Sequence, residues 1–262
     1  MFNLDELTSV HRFFQYDYIY IDFVFLCLWL GVLAWKKEWK ALAFGACIAP
    51  IIYSIDAGLW WNSLAGPPHA PGTYIREYFI GGVQVSHPAG SLTLQKFGAD
   101  FMMTLSYSLY AFPWLFIAFR EIREGRFLKR GLAGITLLWL GFWLLVPALS
   151  VALPLNESIV HSVRHMNSQF VGWMVNLLVG YSVLLSLYRK EPIIPLQLFM
   201  TGCVGSLIME VPLYLFGIRP VSLPFLIYEG IFLLNQGVPW LFLFVDKVLP
   251  WCWNMTTGRE MA

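Results

Sequence analysis

Over 262 residues the chain is 58% hydrophobic, 17% aromatic and only 13% charged, far more apolar and less charged than an average water-soluble domain. Its 17 Lys and Arg nearly balance its 16 Asp and Glu, which leaves no basic field for nucleic acid. The composition is that of an integral, multi-pass membrane protein of a bacterial inner membrane or the endoplasmic reticulum, with membrane lipids around it.

The N-terminal stretch MFNLDELTSVHRFFQYDYIYID is acidic and aromatic where a signal peptide is basic and then apolar, so the first span is expected to be retained. Windows long enough to cross roughly 30 Å of hydrocarbon recur at 19–35, 41–61, 102–120, 132–153, 170–188, 197–217 and 225–246. The expected fold is therefore all-α: a single seven-helix transmembrane bundle over residues 1–262, with an outer cap loop at 62–100. Pro50, Pro113, Pro147, Pro212 and Pro239 fall inside spans and are kink candidates. The connections 36–40, 120–130 and 189–191 and the C-terminal tail hold twelve Lys or Arg, against five in the N-terminus and the other connections. That asymmetry predicts an outside N-terminus and a cytoplasmic C-terminus.

The cap loop opens with AGPPHAPGTY and carries Gly81-Gly82 and His87-Pro88. Turn residues dominate its first half, and TYIREYFIGGVQV is read as a short interfacial helix or hairpin over the bundle.

An acid within an apolar span costs roughly 2.5 to 3.5 kcal/mol on insertion scales, so it faces a bundle interior or a wet cavity and marks a site. Asp56 is the first such residue, with Tyr53 three positions before it and Trp60 four after. At a rise of about 1.5 Å per residue, Asp56, Glu210, Glu229 and Asn176 lie roughly 8, 10, 6 and 9 Å below the outer ends of their spans, one shared layer. Helical spacing aligns Ser206, Glu210 and Tyr214, then Glu229, Phe232 and Gln236, then Asp100, Thr104 and Tyr107. An outer-half pocket is expected, with Asp56, Glu210 and Glu229 catalytic and Tyr53, Trp60, Tyr107, Trp173, Asn176, Tyr214, Phe232, Asn235 and Gln236 binding substrate. Individually, the tryptophans also suit an interfacial belt, and the amides suit interhelical contacts.

His161 and His165 in HSVRHMN would share one face of a helix beside Arg164. With no HExxH glutamate, and with the other histidines scattered at 11, 69 and 87, no metal is expected there. Cys27, Cys47, Cys203 and Cys252 give neither a CxxC motif nor a disulfide framework. The absence of GxGxxG, P-loop and GxSxG motifs removes support for nucleotide binding and serine hydrolysis. Lys247, at the cytoplasmic end of the last span, argues against a buried retinal Schiff base. Asn156-Glu157-Ser158 is an outer-side sequon.

The layout resembles the small seven-span integral-membrane terpene cyclases of fungal meroterpenoid and indole-diterpene pathways and their bacterial relatives. The likeness is carried by PIIYSIDAGLWW, TGCVGSLIMEVPLYLFGIRP and SLPFLIYEGIFLLNQGVPWLF. It implies catalytic acids near the outer end of the second span and in the last span. Asp56 takes the first place, where that family usually has Glu. Asn235 and Gln236 occupy the region of the second, leaving Glu229 as its replacement, and the 62–100 loop is an insertion.

The expected function is cyclisation or isomerisation of a lipid-soluble isoprenoid by acid-initiated carbocation chemistry, with Asp56 as donor and neither metal nor organic cofactor. Aromatic walls would stabilise the cations. The alternatives are a transporter or receptor that uses the same acids for a small apolar or zwitterionic ligand, and a structural subunit whose acids pair with partner helices.

Overall fold

A computed structural model of the chain describes residues 9–127, 130–153 and 155–250. Strand β1 (Ser9–Gln15) leads into helix α1 (Asp17–Trp35), and a turn at 36–38 returns the chain as α2 (Trp39–Trp60). The segment at 61–92 holds the hairpin of β2 (Arg76–Ile80) and β3 (Val83–Gln84), and α3 (Thr93–Arg123) follows. Next come α4 (Arg130–Ala152), β4 (Ile159–His165), α5 (Asn167–Leu187), α6 (Ile193–Leu215), α7 (Leu223–Phe232) and α8 (Val238–Leu243).

Six of these helices, α1 to α6, are long and apolar enough to cross a membrane, as a multi-pass membrane protein requires. The first six windows predicted from sequence each fall on one of them. Many of their leucines, isoleucines and valines are exposed, including Leu28, Ile51, Leu137 and Val179. Inside, Trp29, Trp114, Trp139 and Trp143 pack with Tyr107, Tyr110 and Phe119 into the main core. Gly45 on α2 has Pro113 of α3 packed against it, so that an added Cβ would lie 2.6 Å from the ring.

The predicted seventh span, 225–246, is not one helix. α7 ends at Phe232 and α8 begins at Val238, with a turn between. Pro239 supplies no backbone N–H, and side chains satisfy the break: Asn235 Nδ2 donates to Ile231 O (2.8 Å) and to Phe199 O (3.3 Å), and Leu234 N donates to Ser206 Oγ (3.1 Å). Gly202 on α6 leaves room for the Asn235 amide. Apolar periodicity alone does not register such an interruption, because the residues on both sides of it are apolar.

The all-α expectation is corrected by a four-stranded antiparallel sheet, in the order β1-β4-β2-β3, across one end of the bundle. Its strands come from three distant stretches of chain. Gly81 and Gly82 both have positive φ (58° and 80°) and close the β2–β3 hairpin, the second of the two forms expected for TYIREYFIGGVQV. His161 and His165 lie on a strand and not on a helix, because β1 and β2 pair with both edges of β4. At the opposite end, Arg120 pairs with Glu38 (2.8 Å) and Arg123 with Asp246 (2.5 Å). Cys252 and the C-terminal tail lie outside the described residues.

Gly202→Ala is expected to drive its new methyl into the Asn235 amide and destabilise the fold by about 1 to 3 kcal/mol, the usual cost of overpacking a filled site. Thermal unfolding in a mild detergent, compared with Gly31→Ala, where nothing lies within 4 Å, measures it.

Candidate functional site

The inner face of the sheet carries charge. Successive strand residues alternate between faces, and the register puts Arg76 of β2 directly opposite Arg164 of β4, with Arg12 of β1 two residues along from the Val10↔Arg164 pair. Three guanidinium groups therefore point from three strands into the bundle, each buried. A fourth arrives from the α6–α7 connection. Gly217 (φ 67°) ends α6 in a left-handed turn, with Ile218 N and Arg219 N donating to Leu213 O at 2.8 and 3.1 Å, and this brings Arg219 back under the sheet. Ile218 O in turn accepts from Phe13 N of β1 (2.7 Å).

Facing them are the acids found in the sequence. Asp56 sits in a π-helical turn, Ser54–Trp60, and both of its oxygens accept from Arg76: Oδ1 from Nε at 2.8 Å and Oδ2 from Nη2. Thr104, in the π-helical turn Phe101–Ser106 of α3, donates to Oδ2 at 2.5 Å. Such turns are frequent at functional sites. Burial opposes the charge of Arg76, but Asp56 and Tyr78 outweigh it and hold its pKa above the ordinary arginine value. Beside this pair, Tyr78 donates to Asp100, and Asp100 pairs with Lys96 at 2.7 Å. Lys96 also donates to Ala57 O (2.5 Å) and lies 4.3 Å from the Trp61 ring centroid.

Glu210 and Glu229 form a second group. Both meet Nη1 of Arg219, Glu210 through Oε2 at 3.1 Å and Glu229 through its own Oε2, so one guanidinium nitrogen draws the two carboxyls together. Arg164 donates to Glu229 Oε1 at 2.7 Å. Burial lowers Arg164 to about 10, with Glu229 pulling upward and Arg76, Arg12 and Arg219 pushing further down. It stays charged at neutral pH. Arg12 is the least matched of the four. The only ion pair or hydrogen bond of its side chain among the described residues is a 3.5 Å approach of Nη2 to Glu210 Oε1, and its guanidinium lies 5.4 Å from the Tyr107 ring centroid.

Below the arginines lies a cavity of about 620 Å³. Arg12, Arg76, Arg164, Asp56 and Glu210 line its polar end with Thr104 and Ser108. Apart from Asn176 and Gln236, the rest of the wall is apolar or aromatic, including Ile48 and Ile52 of α2, Phe112 of α3 and Trp240 of α8. α2 packs mainly on α3, and α5 on α8, so the two helices flank the cavity without a main packing contact between them.

Of the predicted site residues, Asp56, Glu210, Trp60, Tyr107, Trp173, Asn176 and Gln236 line this one cavity. Trp173 also lies 5.4 Å from the Arg164 guanidinium. The others lie elsewhere. Glu229 stands behind Arg164 and Arg219 and reaches the cavity only through them and Glu210. Tyr53 faces away and donates to Phe97 O (3.2 Å). Tyr214 and Phe232 belong to a separate aromatic cluster with Trp173, Tyr228 and Phe225, and Asn235 is spent on the helix break. His161 and His165 take the opposite face of the sheet, where His161 meets His11 (3.0 Å) and His165 meets Glu77 (3.4 Å). Burial lowers the pKa of both histidines.

The four arginines went unrecognised as site residues in the sequence. The available signal was alternation: Val10-Arg12-Phe14, Arg76-Tyr78-Ile80 and Val160-Ser162-Arg164 place arginine in phase with apolar residues, which marks inward-facing cations on half-buried strands. Asp22 of α1 was also passed over. It is buried beside Ser106 and makes no ion pair among the described residues. No protein family, curated protein or solved structure matches the chain.

Removing one partner of a buried pair strands the other. Asp56→Asn and Arg76→Gln are each expected to destabilise by about 3 to 5 kcal/mol. The double variant should lose clearly less than the two losses combined, and denaturant unfolding of the four proteins gives the coupling.

Proposed function

We propose that the protein is an intramembrane enzyme that cyclises or isomerises a lipid-soluble isoprenoid by proton-initiated carbocation chemistry. The observation that carries this reading is the position of Glu210: a buried carboxyl at the rim of an aromatic-walled cavity, sharing one guanidinium nitrogen of Arg219 with a second carboxyl. Two carboxyls drawn to one nitrogen lie close together, and two like charges this close resist ionising together, so one of the pair tends to keep its proton. The Glu210–Glu229 pair is thus the proton source. Protonation of an olefin or epoxide would leave a cation for Trp60, Tyr107, Phe112, Trp173 and Trp240 to stabilise, and ring closure followed by loss of a proton to the same pair would restore the site.

In this proposal the donor role expected of Asp56 passes to Glu210. Both oxygens of Asp56 already accept from Arg76, and one accepts from Thr104 as well, which suits a carboxylate and leaves little room for a transferable proton. Asp56 becomes the anchor of the roof.

The gap between α2 and α5 supports entry of substrate sideways from the bilayer. The broken α7–α8 segment would make the seventh crossing, with the N-terminus and the sheet outside and the C-terminus cytoplasmic. All five basic residues counted on that side, Arg12, Arg76, Lys96, Arg164 and Arg219, are buried, while Lys36, Lys37 and Arg189 at the other end are not. Cysteine labelling should find position 125 cytoplasmic and position 157 outside; the reverse overturns the orientation.

A receptor or carrier is the second reading. The opposed charges of Arg12 and Glu210, which face the same cavity, suit a zwitterionic ligand. Product formation in membranes supplied with candidate prenylated substrates decides between the two. Glu210→Gln keeps the shape and removes the proton, so turnover should fall at least a hundredfold, in line with the usual weight of general acid catalysis. A carrier would instead redistribute an unchanged ligand, and full turnover by Glu210→Gln removes the acid role.

A further inference from the structure

Charge does not balance beneath the sheet. Arg12, Arg76, Arg164 and Arg219 supply four guanidinium groups, and among the described residues the carboxyls that pair with them are three, Asp56, Glu210 and Glu229. Four against three leaves one positive charge over, and two when the glutamate pair holds its proton. The neighbouring Lys96–Asp100 pair adds one charge of each sign and changes nothing, and Asp22, the buried acid of α1, makes no ion pair with any of the four arginines among the described residues.

An uncompensated cation away from water is costly unless something pairs with it. Like charges directly across a strand pair are also unfavourable, yet Arg76 and Arg164 are direct cross-strand partners. The excess is local. Arg76 has Asp56, and Arg164 and Arg219 share Glu229, whereas Arg12 has one long contact to Glu210, a carboxyl that Arg219 holds more closely, so Arg12 is the least compensated guanidinium lining the cavity. Nε of Arg164, another lining residue, is buried without a hydrogen-bond partner among the described residues. These donors converge on the polar end of a space whose other walls are mostly apolar.

We infer that the cavity takes an amphiphile with an anionic end, a phosphate or carboxylate held by Arg12 and Arg164 beneath the sheet, with its hydrocarbon chain running toward Phe112, Trp240 and Leu241. The inference rests on the reading of this cavity as the substrate site and names the substrate's class: an isoprenoid that carries an oxyanion. Arginine suits that group because its planar fork matches the geometry of an oxyanion.

The test uses the full-length protein in phosphatidylcholine nanodiscs, with farnesyl phosphate, farnesol and inorganic phosphate as probes. Farnesyl phosphate should bind at least tenfold more tightly than farnesol, and inorganic phosphate should bind far more weakly than either. Arg12→Gln should lose at least tenfold in affinity for farnesyl phosphate while farnesol is unaffected, and Arg12→Lys should recover part of the loss. Glu210 retains Arg219 at 3.1 Å in either variant, so no carboxyl is stranded. Equal affinity for farnesol and farnesyl phosphate, or unchanged binding of farnesyl phosphate by Arg12→Gln, overturns the inference. So does complete displacement of farnesyl phosphate by phosphatidic acid at equal concentration, which would give the site to a membrane lipid. Arg12-dependent binding without conversion of any isoprenoid keeps the inference and removes the enzyme reading. Conversion of farnesol and farnesyl phosphate at equal rates, with neither rate changed by Arg12→Gln, does the reverse.

Discussion

The Asp56–Arg76 pair joins a helix to a strand in a place where neither charge stands alone. In a medium of low polarity an unpaired carboxylate or guanidinium is costly, and pairing with full hydrogen bonding is what makes burial tolerable. The same condition applies at Glu229 with Arg164 and Arg219, so the sheet is fastened to the bundle by charge at several points. Two fastenings link separate stretches of chain, β2 to α2 and β4 to α7, and a third ties the α6–α7 turn to the two helices it joins. The sheet is in effect a fixed roof. Its arginines fill positions where an ordinary half-buried sheet would present apolar side chains to the helices, and the helices answer with acids at matching depth.

This arrangement defines the space beneath. Because the arginines pair with acids on α2, α6 and α7, the middle of the bundle end is left open. α2 and α5, which do not pack on each other to any extent, bound it on two sides. The cavity is therefore polar at one end and apolar along its length, the profile of a site for an amphiphile. Within it the two acid groups have different chemistry for a geometric reason. Asp56 is saturated by Arg76 and Thr104, whereas Glu210 shares one guanidinium nitrogen with Glu229 and meets Arg12 only at long range. A carboxyl held this loosely beside another carboxyl is the better store for a proton.

Most of the helical frame was legible because a span's apolar run is a long, strong signal: six predicted windows correspond to six helices. The seventh failed where a side chain does the work of backbone, since Asn235 and Ser206 satisfy the break and composition does not register it. The sheet was largely hidden. Its strands are short and come from the N-terminus, the cap loop and the segment before α5, so no single stretch announces it, and only the hairpin at Gly81-Gly82 was among the forms expected. Asp56 and Glu210 could be found because a carboxylate in an apolar run is conspicuous, and equal depth placed them together. Their partners could not be found that way. Arg12, Arg76 and Arg164 lie in polar-looking connections and were counted as loop charges, although alternation within each strand put them on the inner face. Glu229 shares the predicted layer but turns away from the cavity, a matter of helix rotation that depth does not determine.

The central claim is that the space under the arginine roof accepts a lipid-soluble guest. Photolabelling of the protein in its native membrane with a diazirine-bearing farnesyl probe, followed by mapping of the adducts, tests this most directly. The account predicts adducts concentrated on cavity residues such as Ile52, Phe112 and Trp240, and their suppression by excess unlabelled probe analogue. Adducts confined to the exposed faces, at Leu28, Leu137 or Val179, with no saturable labelling of the cavity wall, would contradict it.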